Sequence, residues 1–350
     1  MTYFYNKDMT QDMPKVLLVG PGGVGSVVAL GIDYTGKADL SIVVRRDYPK
    51  VSKDGYEFKS IDYGHVTHWK PHNIFPNIEE AILPDNEYYD FVIITTKSLP
   101  DIVKMEDVIE KVITPRKTTI VLIQNGFGIE RPFLKKYPKN ICLSGVSHIG
   151  SHNFNGVIHQ TQHDRCFISC FFNEAIPLDI QKLKAEEFIT LYSNAKNAVS
   201  YYPDVKKYRY MKLVYNAAMN TTCALTRVDT GRLEVAGTND SICVPAMHEV
   251  IEVAEKDGVK LPEGIINKVI HSDDGDWYEP SMLIDVKKGN PIELEVILGN
   301  LLIRAGELDV QTPTLTLLYN LLKAVQLKLR EGKGQVKLPE NRPITDKYYS

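Results

Sequence analysis

The chain has 350 residues, which is longer than one average domain and short for three, so two domains are expected. Apolar residues make up 43% and charged residues 24%, as in globular proteins and unlike disordered or fibrous chains. The formal net charge of -3 argues against a nucleic-acid-binding protein, because such proteins need a basic surface to displace counterions from phosphates.

The five cysteines indicate a reducing compartment, because their number is odd and none forms a C-x-x-C pair. Cys166 and Cys170 lie four apart in an alternating apolar run, which favours two buried thiols over a metal site, and no metal is predicted. Residues 1–14 lack the features of a signal or transit peptide. No apolar run approaches the roughly 20 residues that cross a bilayer, so a cytoplasmic protein without a membrane segment is expected.

Residues 14–203 are expected to form a parallel, doubly wound α/β domain of the Rossmann type. The reason is a series of short apolar runs ending in glycine or polar residues, with a helical pattern at 24–34 after the first run. The predicted strands are 15–20, 40–46, 91–97 and 118–126. Further strand-like pieces within 141–172 lack long intervening helices, and they are expected to form an antiparallel edge of the same sheet.

Residues 204–333 are expected to form an all-helical domain, with the boundary near Pro203. From about Glu186 onward, apolar residues recur at spacings of three and four. The segments with this pattern are 188–198, 210–226, 244–258 and 293–308. Residues 334–350 are polar and contain proline, so an extended tail is expected there.

A glycine-rich loop follows the first predicted strand and precedes the first predicted helix. Its sequence, Gly20-Pro21-Gly22-Gly23-Val24-Gly25, fits the G-x-G-x-x-G pattern of dinucleotide-binding proteins. Gly20 permits the tight turn, Gly22 lets the backbone approach a pyrophosphate, and Gly25 allows close packing of helix and strand. The helix N-terminus then offers amide donors to the anion. The alternative is a strand-to-helix turn with a structural role only.

Three further strand ends carry polar side chains that suit a nucleotide site. Arg45 and Arg46 follow the second strand, where NAD-binding proteins place an acid, and arginine there suits the 2′-phosphate of NADP. Asp47 keeps NAD open as an alternative. Lys97 and Asn125 lie at the ends of the third and fourth strands, where open parallel sheets bind ligands, although a lysine at such a position is often only solvated.

In the helical domain, Lys212, Asn216 and Asn220 recur at intervals of four and would lie on one helical face. Such a stripe is ordinarily a solvent face, but the neighbouring residues are mostly apolar and asparagine is a modest helix former. A stripe that faces a ligand is therefore the preferred interpretation. Downstream, Ser281 lies near one helix start, and the acids of the E-x-E at 293–295 lie near another, where they could also serve as helix N-terminal charges.

These motifs, in this order and spacing, resemble those of ketopantoate reductases (2-dehydropantoate 2-reductases). The likeness covers roughly residues 15–330 and combines the glycine loop, Lys97, the Q-N-G at 124–126, K-x-x-x-N-x-x-x-N, S-M-x-x-D and E-x-E. The resemblance implies a Rossmann domain joined to a helical domain, and NADPH-dependent reduction of ketopantoate to pantoate, on the route to pantothenate and coenzyme A.

The resemblance also implies roles for individual residues. Lys212 would be the general acid, and Glu293 its partner near the cofactor ribose. Asn125 would contact both nicotinamide and substrate. The residues implied to hold the substrate are Asn216, Asn220 and Ser281, and those implied to serve the cofactor are Lys97 and Arg45. Arg46 is predicted to bind the cofactor from its position beside Arg45.

The chain departs from the family pattern at positions that would lie near the substrate. Thr230 precedes Gly231 where the family usually has asparagine, and Tyr278 begins the stretch that usually reads N-x-x-S. The tryptophan that is common before the catalytic lysine is absent, and Tyr210 is the nearest aromatic residue. A different 2-keto acid is therefore an open alternative, because a few missing hydrogen bonds change discrimination by orders of magnitude.

Two further points stay open at this level. A non-catalytic NADP(H) sensor would also need the glycine loop, although it would have no need to keep Lys212, Asn216 and Glu293 together. Pairing into a homodimer through apolar faces such as that of 296–326 is open as well.

Overall fold

The computed structural model describes residues 13–344, and these residues divide into two compact units. The first comprises the described residues up to Ser98 together with Lys104–Tyr208. The second comprises Leu99–Val103 and the described residues from Arg209 onward, so the division falls five residues beyond the predicted boundary at Pro203. The expectations for residues 1–12 and for the last six residues of the tail lie outside the described part of the chain.

The first unit is built on strands that form two sheets. In chain order the strands are β1 (Lys15–Val19), β2 (Asp39–Val43), β3 (Tyr56–Ser60), β4 (Gly64–Trp69), β5 (Asn73–Phe75), β6 (Phe91–Ile94), β7 (Thr119–Leu122), β8 (Cys142–His148), β9 (Ser151–Phe154), β10 (Val157–Gln160), β11 (Arg165–Phe171) and β12 (Ala198–Tyr201). The helices of this unit are α1 (Gly23–Thr35), α2 (Tyr48–Asp54), α3 (Met105–Val108), α4 (Arg131–Lys136) and α5 (Leu178–Tyr192).

The larger sheet has eight strands in the order β12-β11-β8-β7-β6-β1-β2-β5. The central strands β6 and β7 are buried at every position, because strands of a parallel sheet are covered on both faces. Pairing is parallel from β5 through β8, and β1 lies between β2 and β6, where the strand order reverses. This arrangement confirms the predicted fold class for the first unit.

The prediction for residues 141–172 was wrong in part. Strands β8 and β11 do pair antiparallel at one side of the large sheet. Strand β10, however, belongs to a second, four-stranded sheet in the order β4-β3-β10-β9. The reason is its pairing with β3, which lies in a segment that the sequence predicted to be a connection, and Phe58 and Ile158 of these two strands are both fully buried.

The helical interpretation of 188–198 was also wrong in part. Helix α5 begins earlier, at Leu178, and ends at Tyr192, and it belongs to the first unit. The side chain of Asn197 accepts a hydrogen bond from the backbone N–H of Asn194 at 2.9 Å, which stabilises a turn there. The chain then continues as β12, which pairs parallel with β11.

The remaining helices confirm a helical second unit. They are α6 (Val205–Tyr215), α7 (Thr221–Thr226), α8 (Thr230–Val235), α9 (Val244–Lys256), α10 (Ile265–Ile270), α11 (Ser281–Lys287), α12 (Asn300–Glu307) and α13 (Pro313–Gly332). Three single π-helical turns interrupt them, at Asn216–Asn220, Asn239–Cys243 and Glu295–Gly299. Residues 333–344 form neither helix nor strand.

Three findings concern the cysteines, possible metal sites and possible membrane spans. All five cysteines are buried free thiols, and Cys166 and Cys170 lie together in the apolar core of the first unit. Within residues 13–344 we find no group of three or more histidine, cysteine or acidic side chains arranged to hold a metal ion. None of the helices in this part of the chain is long and apolar enough to cross a membrane.

Candidate functional site

The glycine loop joins β1 to α1, and two of its glycines pack so closely against the end of β6 that a side chain would not fit. Gly20 has a φ of +88°, which favours glycine, and a Cβ there would overlap the Cγ2 of Thr96. A Cβ on Gly25 would overlap the Oγ1 of Thr95, so the absence of a side chain lets α1 pack closely against the end of β6. The loop is therefore pressed against the neighbouring strand end.

Gly22 is different, because the space beside it is open. An added Cβ would have its nearest neighbour, the carbonyl oxygen of Gly20, at 4.0 Å. Gly22 is the N-cap of α1, and the first-turn N–H groups of a helix have no partners within the helix. Open space beside these donors fits the approach of a pyrophosphate.

A side chain is excluded at Gly23 by a contact that the sequence does not reveal. A Cβ at this position would overlap the carbonyl oxygen of Ser151, in β9 of the second sheet. The Oγ of Ser151 also donates a hydrogen bond to the carbonyl oxygen of Gly23 at 2.9 Å. The second sheet therefore lies directly against the start of α1.

Side chains from outside the motif also fix the shape of the loop. The carbonyl oxygen of Pro21 accepts hydrogen bonds from the Oγ of Ser26 at 2.8 Å and from the hydroxyl of Tyr56 at 3.2 Å. The carbonyl oxygen of Gly20 accepts one from Thr95 Oγ1 at 2.9 Å. Tyr56 is fully buried, and burial raises the pKa of its hydroxyl, so it acts as a donor at neutral pH. Nothing in the sequence pattern singled out Tyr56.

The end of β2 presents two exposed arginines and one buried acid. Arg45 and Arg46 are exposed, whereas Asp47 is only 6% exposed. The carboxylate of Asp47 accepts hydrogen bonds from Arg46 Nε at 3.1 Å and from the amide nitrogen of Asn153 at 2.9 Å. Both carboxylate oxygens of Asp47 are therefore occupied, one of them by Asn153 of β9. This disfavours a hydrogen bond between Asp47 and a ribose hydroxyl of the cofactor. Arg45 faces solvent.

Lys97 and Asn125 each follow a strand of the large sheet by three residues, after β6 and β7 respectively. Lys97 is exposed and Asn125 is half-buried. Between them, the side-chain nitrogen of Gln124 donates a hydrogen bond to the carbonyl oxygen of Thr96 at 2.8 Å, which ties the two strand ends together. Because β7, β6, β1 and β2 are parallel neighbours, these residues share one edge of the sheet with the glycine loop and Arg45.

In the second unit, the predicted stripe lies at the junction of α6 and the first π-helical turn. Lys212 is half-buried in the last turn of α6, and Asn216 and Asn220 are buried at the two ends of the π turn. The amide nitrogen of Asn220 lies 3.2 Å from Ser281 Oγ and 3.4 Å from Asn216 Oδ1. The Oδ1 of Asn220 accepts a hydrogen bond from the Met282 N–H at 2.9 Å. The structure thus brings Asn216, Asn220 and Ser281 together.

The two acids of the E-x-E have different surroundings. Glu293 is buried two residues before the π turn that begins at Glu295. Glu295 is half-buried, and its two carboxylate oxygens lie 3.1 and 3.2 Å from the hydroxyl of Tyr319. Burial raises the pKa of Glu295, and the hydrogen bond from Tyr319 opposes this shift.

The two positions that depart from the family pattern contact each other. The backbone N–H of Thr230 donates a hydrogen bond to the carbonyl oxygen of Tyr278 at 3.1 Å, and the Thr230 hydroxyl donates to the same oxygen at 3.3 Å. A Cβ on the adjacent Gly231 would lie 2.6 Å from Cε3 of Trp277. Thr230 therefore supports the segment that leads to Ser281, through the backbone of Tyr278 and not through its side chain.

Comparison with known proteins gives matches to both halves of the chain. Residues 16–173 match the sequence model described as "Ketopantoate reductase PanE/ApbA". Residues 204–326 match the model of the same family's C-terminal region.

Individual proteins are similar over nearly the whole chain. An uncharacterised protein of Saccharomyces cerevisiae is 37% identical, covering 94% of this chain and 98% of its own. The crystal structure of a 2-dehydropantoate 2-reductase from Methylococcus capsulatus is 27% identical, with a TM-score of 0.74, and covers 90% of this chain and 97% of its own. A D-mandelate dehydrogenase structure with NADH has a TM-score of 0.76 at 18% identity, covering 90% and 99%, and this likeness concerns the fold alone.

Proposed function

The chain belongs to the ketopantoate reductase family, and from that membership we propose that it reduces 2-dehydropantoate (ketopantoate) to pantoate. As a member of this family it is a reductase-like enzyme with NADP(H) as its cofactor. The observation that carries the proposal is the cluster of Asn216, Asn220 and Ser281, one helical turn from Lys212. Carboxamide and hydroxyl groups at this spacing suit the carboxylate and hydroxyl of a small keto acid.

The residues proposed to bind the cofactor lie at one edge of the large sheet. Bound NADPH supplies the hydride. The start of α1 would bind the pyrophosphate, and Arg45 and Arg46 would bind the 2′-phosphate, since guanidinium groups match phosphate geometry. Lys97 and Asn125 would bind the rest of the cofactor, with Asn125 also contacting the substrate. The engagement of Asp47 by Arg46 and Asn153 supports the preference for NADP over NAD.

The chemical step needs a group that neutralises and protonates the keto oxygen. When hydride reaches the keto carbon, the carbonyl π bond breaks and negative charge builds on oxygen. The ammonium group of Lys212 would stabilise that charge and transfer a proton to the oxygen, which gives the hydroxy acid. Buried Glu293 would act as its acidic partner. Asn216, Asn220 and Ser281 would hold the substrate while this happens.

A different 2-keto acid is the second candidate substrate, and the Thr230–Tyr278 contact favours it. Where the family usually offers an asparagine side chain, Thr230 uses both its N–H and its hydroxyl on the carbonyl oxygen of Tyr278. If position 230 faces the substrate, fewer free hydrogen-bonding groups would be offered to it. A site with this change would discriminate less strongly in favour of a substrate hydroxyl.

The direct test is to follow the loss of NADPH absorbance with ketopantoate and with a panel of other 2-keto acids, including aliphatic and phenyl-substituted ones, with NADH in parallel. Rapid NADPH oxidation with ketopantoate is expected. Turnover with another keto acid alone would replace the substrate assignment. Binding of NADPH without turnover on any keto acid would contradict the proposal and favour a sensor.

Lys212→Ala tests the role of the general acid. Loss of this group should lower kcat by about 10²–10⁴ while the Kd for NADPH stays near its wild-type value. Lys207→Ala, on the same helix, is the matched control and should retain activity. Retained turnover in Lys212→Ala would remove this residue from the mechanism.

The location and assembly of the protein stay predictions. The five buried thiols suit a reducing, cytoplasmic compartment. For a homodimer, α13 offers Leu317 and Leu321, four residues apart and both exposed. If they form an interface, Leu321→Lys should shift the mass measured by light scattering from dimer to monomer. An unchanged dimer would exclude this face.

A further inference from the structure

One side chain of α13 contacts the segment that precedes Glu293, and both lie in the second unit. This side chain is Gln326, which is only 5% exposed. Its Oε1 accepts a hydrogen bond from the N–H of Ile292 at 2.8 Å, and its Nε2 donates one to the carbonyl oxygen of Ile292 at 3.1 Å. A single carboxamide therefore holds both backbone polar groups of the residue before Glu293.

The orientation of the Gln326 amide is fixed by its surroundings. The N–H of Ile292 requires an acceptor, so the amide oxygen must lie beside it. The amide nitrogen also lies 3.3 Å from Oδ2 of Asp101, and a carboxylate, like the carbonyl oxygen of Ile292, requires a donor. Asp101 belongs to the segment Leu99–Val103 of the second unit, and Nη1 of Arg330 lies 3.3 Å from the same oxygen. A flipped amide would lose all three of its contacts.

Glu293 lies at the centre of a tight turn that Gln326 supports. The N–H of Leu294 donates to the carbonyl oxygen of Ile292 at 2.8 Å, which closes a turn of three residues around Glu293. The carbonyl oxygen of Glu293 accepts a hydrogen bond from the N–H of Ile297 at 3.2 Å, in the π turn that follows. The backbone around Glu293 is thus fixed from two directions, and one of them depends on a side chain 34 positions from Ile292 in the chain.

Burial makes the contact with Gln326 hard to replace. Ile292 is fully buried and Glu293 is 4% exposed, so water does not reach these backbone groups. Buried backbone N–H groups are almost always paired, because an unpaired one is strongly unfavourable. Without Gln326 the turn would rearrange to find another partner for the N–H of Ile292, and the carboxylate of Glu293 would move with it.

We propose that Gln326 is a positioning residue for Glu293, because it fixes the backbone of Ile292 and so sets where the Glu293 carboxylate lies. The inference rests on the proposed function, which makes Glu293 the acidic partner of Lys212 near the cofactor ribose. Misplacement of a reacting or orienting group by about 1 Å costs about 10²-fold in rate. Loss of the Gln326 carboxamide should therefore affect both turnover and cofactor binding through Glu293.

A second buried glutamine provides a matched control in the first unit. Gln181 in α5 is fully buried, and its Oε1 accepts a hydrogen bond from the N–H of Asn173 at 3.1 Å. Its Nε2 donates to the carbonyl oxygens of Asn173 and Ile176 at 2.9 and 2.7 Å. Leucine at position 181 or 326 removes the same kinds of hydrogen bond from a buried helical position. Neither Gln181 nor the residues that it contacts have a proposed role in the reaction.

The test compares wild type, Gln326→Leu and Gln181→Leu by thermal unfolding, NADPH titration and steady-state kinetics, with the keto acid that wild type reduces fastest. Both variants should lower the Tm by about 5 °C, since each leaves a buried N–H without its partner. Only Gln326→Leu should lower kcat, by about 10–100-fold, while the KM for the keto acid stays within about twofold. The same variant alone should raise the Kd for NADPH, by about threefold.

Glu293→Gln completes a double-mutant cycle for kcat and for the Kd. Addition of Gln326→Leu to Glu293→Gln should change either quantity by less than about twofold, because the carboxylate that Gln326 positions is already absent. Gln326→Met fills the same space with an adaptable side chain and replaces the leucine variant if that variant does not fold.

Three outcomes would overturn the inference. They are wild-type kcat and Kd in Gln326→Leu, equal losses in Gln326→Leu and Gln181→Leu, and multiplication of the effects of Gln326→Leu and Glu293→Gln. Failure of the proposed function gives a different result, which is the absence of turnover by wild type with every keto acid. In that case the Kd cycle with NADPH still decides whether Gln326 acts through Glu293.

Discussion

Substitution of the two adjacent glycines at the start of α1 separates the structural from the ligand-binding role of the loop. In Gly22→Ala the added Cβ meets nothing closer than 4.0 Å. The cost in free energy of unfolding should therefore stay below about 1 kcal/mol, the usual cost of alanine at an N-cap. The same methyl group would occupy the space through which a pyrophosphate approaches, so the Kd for NADPH should rise at least about tenfold.

In Gly23→Ala the added Cβ overlaps the carbonyl oxygen of Ser151 in β9. Backbone of the second sheet must then move, which costs about 1–3 kcal/mol and lowers Tm by several degrees. Movement of β9 would also loosen the hydrogen bond between Asn153 and Asp47. Gly23→Ala should therefore mainly lower the free energy of unfolding, and Gly22→Ala should mainly raise the Kd for NADPH.

The assay combines thermal unfolding without ligand and fluorescence titration with NADPH for wild type and both variants. Wild-type affinity in Gly22→Ala would refute the placement of the pyrophosphate beside Gly22. Wild-type stability in Gly23→Ala would refute the close packing of β9 against the loop.

Four other substitutions test three different parts of the molecule. Arg45→Ala should raise the Kd for NADPH at least about tenfold and leave NADH binding unchanged, and equal effects on both cofactors would exclude Arg45 as the 2′-phosphate ligand. Asn220→Ala removes the acceptor of the Met282 N–H, so it should lower the free energy of unfolding by about 1–3 kcal/mol and raise the KM for the keto acid. Ser281→Ala keeps that hydrogen bond, so it should raise the KM with a smaller loss of stability. Burial raises the pKa of Asp164 from 3.8 to about 6, so the protonated carboxyl stabilises the fold below about pH 4 and this contribution is lost as pH rises through 6. In Asp164→Asn, the free energy of unfolding measured with urea should depend less on pH over this range. An unchanged pH dependence would contradict the shift.

The large sheet could be predicted from the sequence because its strands are continuous apolar runs. Strands β6 and β7 are buried at every position, and such runs stand out from the polar segments between them. The second sheet could not be predicted in the same way. Most of β4 is exposed, and β9 is mainly half-buried and polar. Its key pairing, between β3 and β10, joins segments about 100 residues apart, which no local pattern records.

In the candidate site, too, local sequence features could be predicted and contacts between distant residues could not. The glycine motif and the Lys212 stripe could be predicted because each lies within a short stretch with a fixed spacing. The contacts that shape them could not, since Tyr56 and Ser151 reach the loop from the second sheet. The contact between Thr230 and Tyr278 likewise joins residues 48 positions apart, although both had been singled out separately.

The π-helical turn at Asn216–Asn220 explains why a spacing of four keeps the stripe straight. In an α-helix each residue rotates by about 100°, so a step of four passes a full turn by about 40° and a stripe of such steps drifts around the helix. From Lys212 to Asn216 the step lies in α6 and drifts in this way. From Asn216 to Asn220 the step lies in a π turn, which holds more residues per turn and so rotates less per residue. The second step therefore reverses the drift of the first. The 3.4 Å separation of the Asn220 nitrogen and the Asn216 oxygen agrees with this alignment. A substitution that restores a regular α-helix here would therefore displace the two carboxamides relative to each other. It would also disturb the other two π turns of the unit, because this turn contacts both of them.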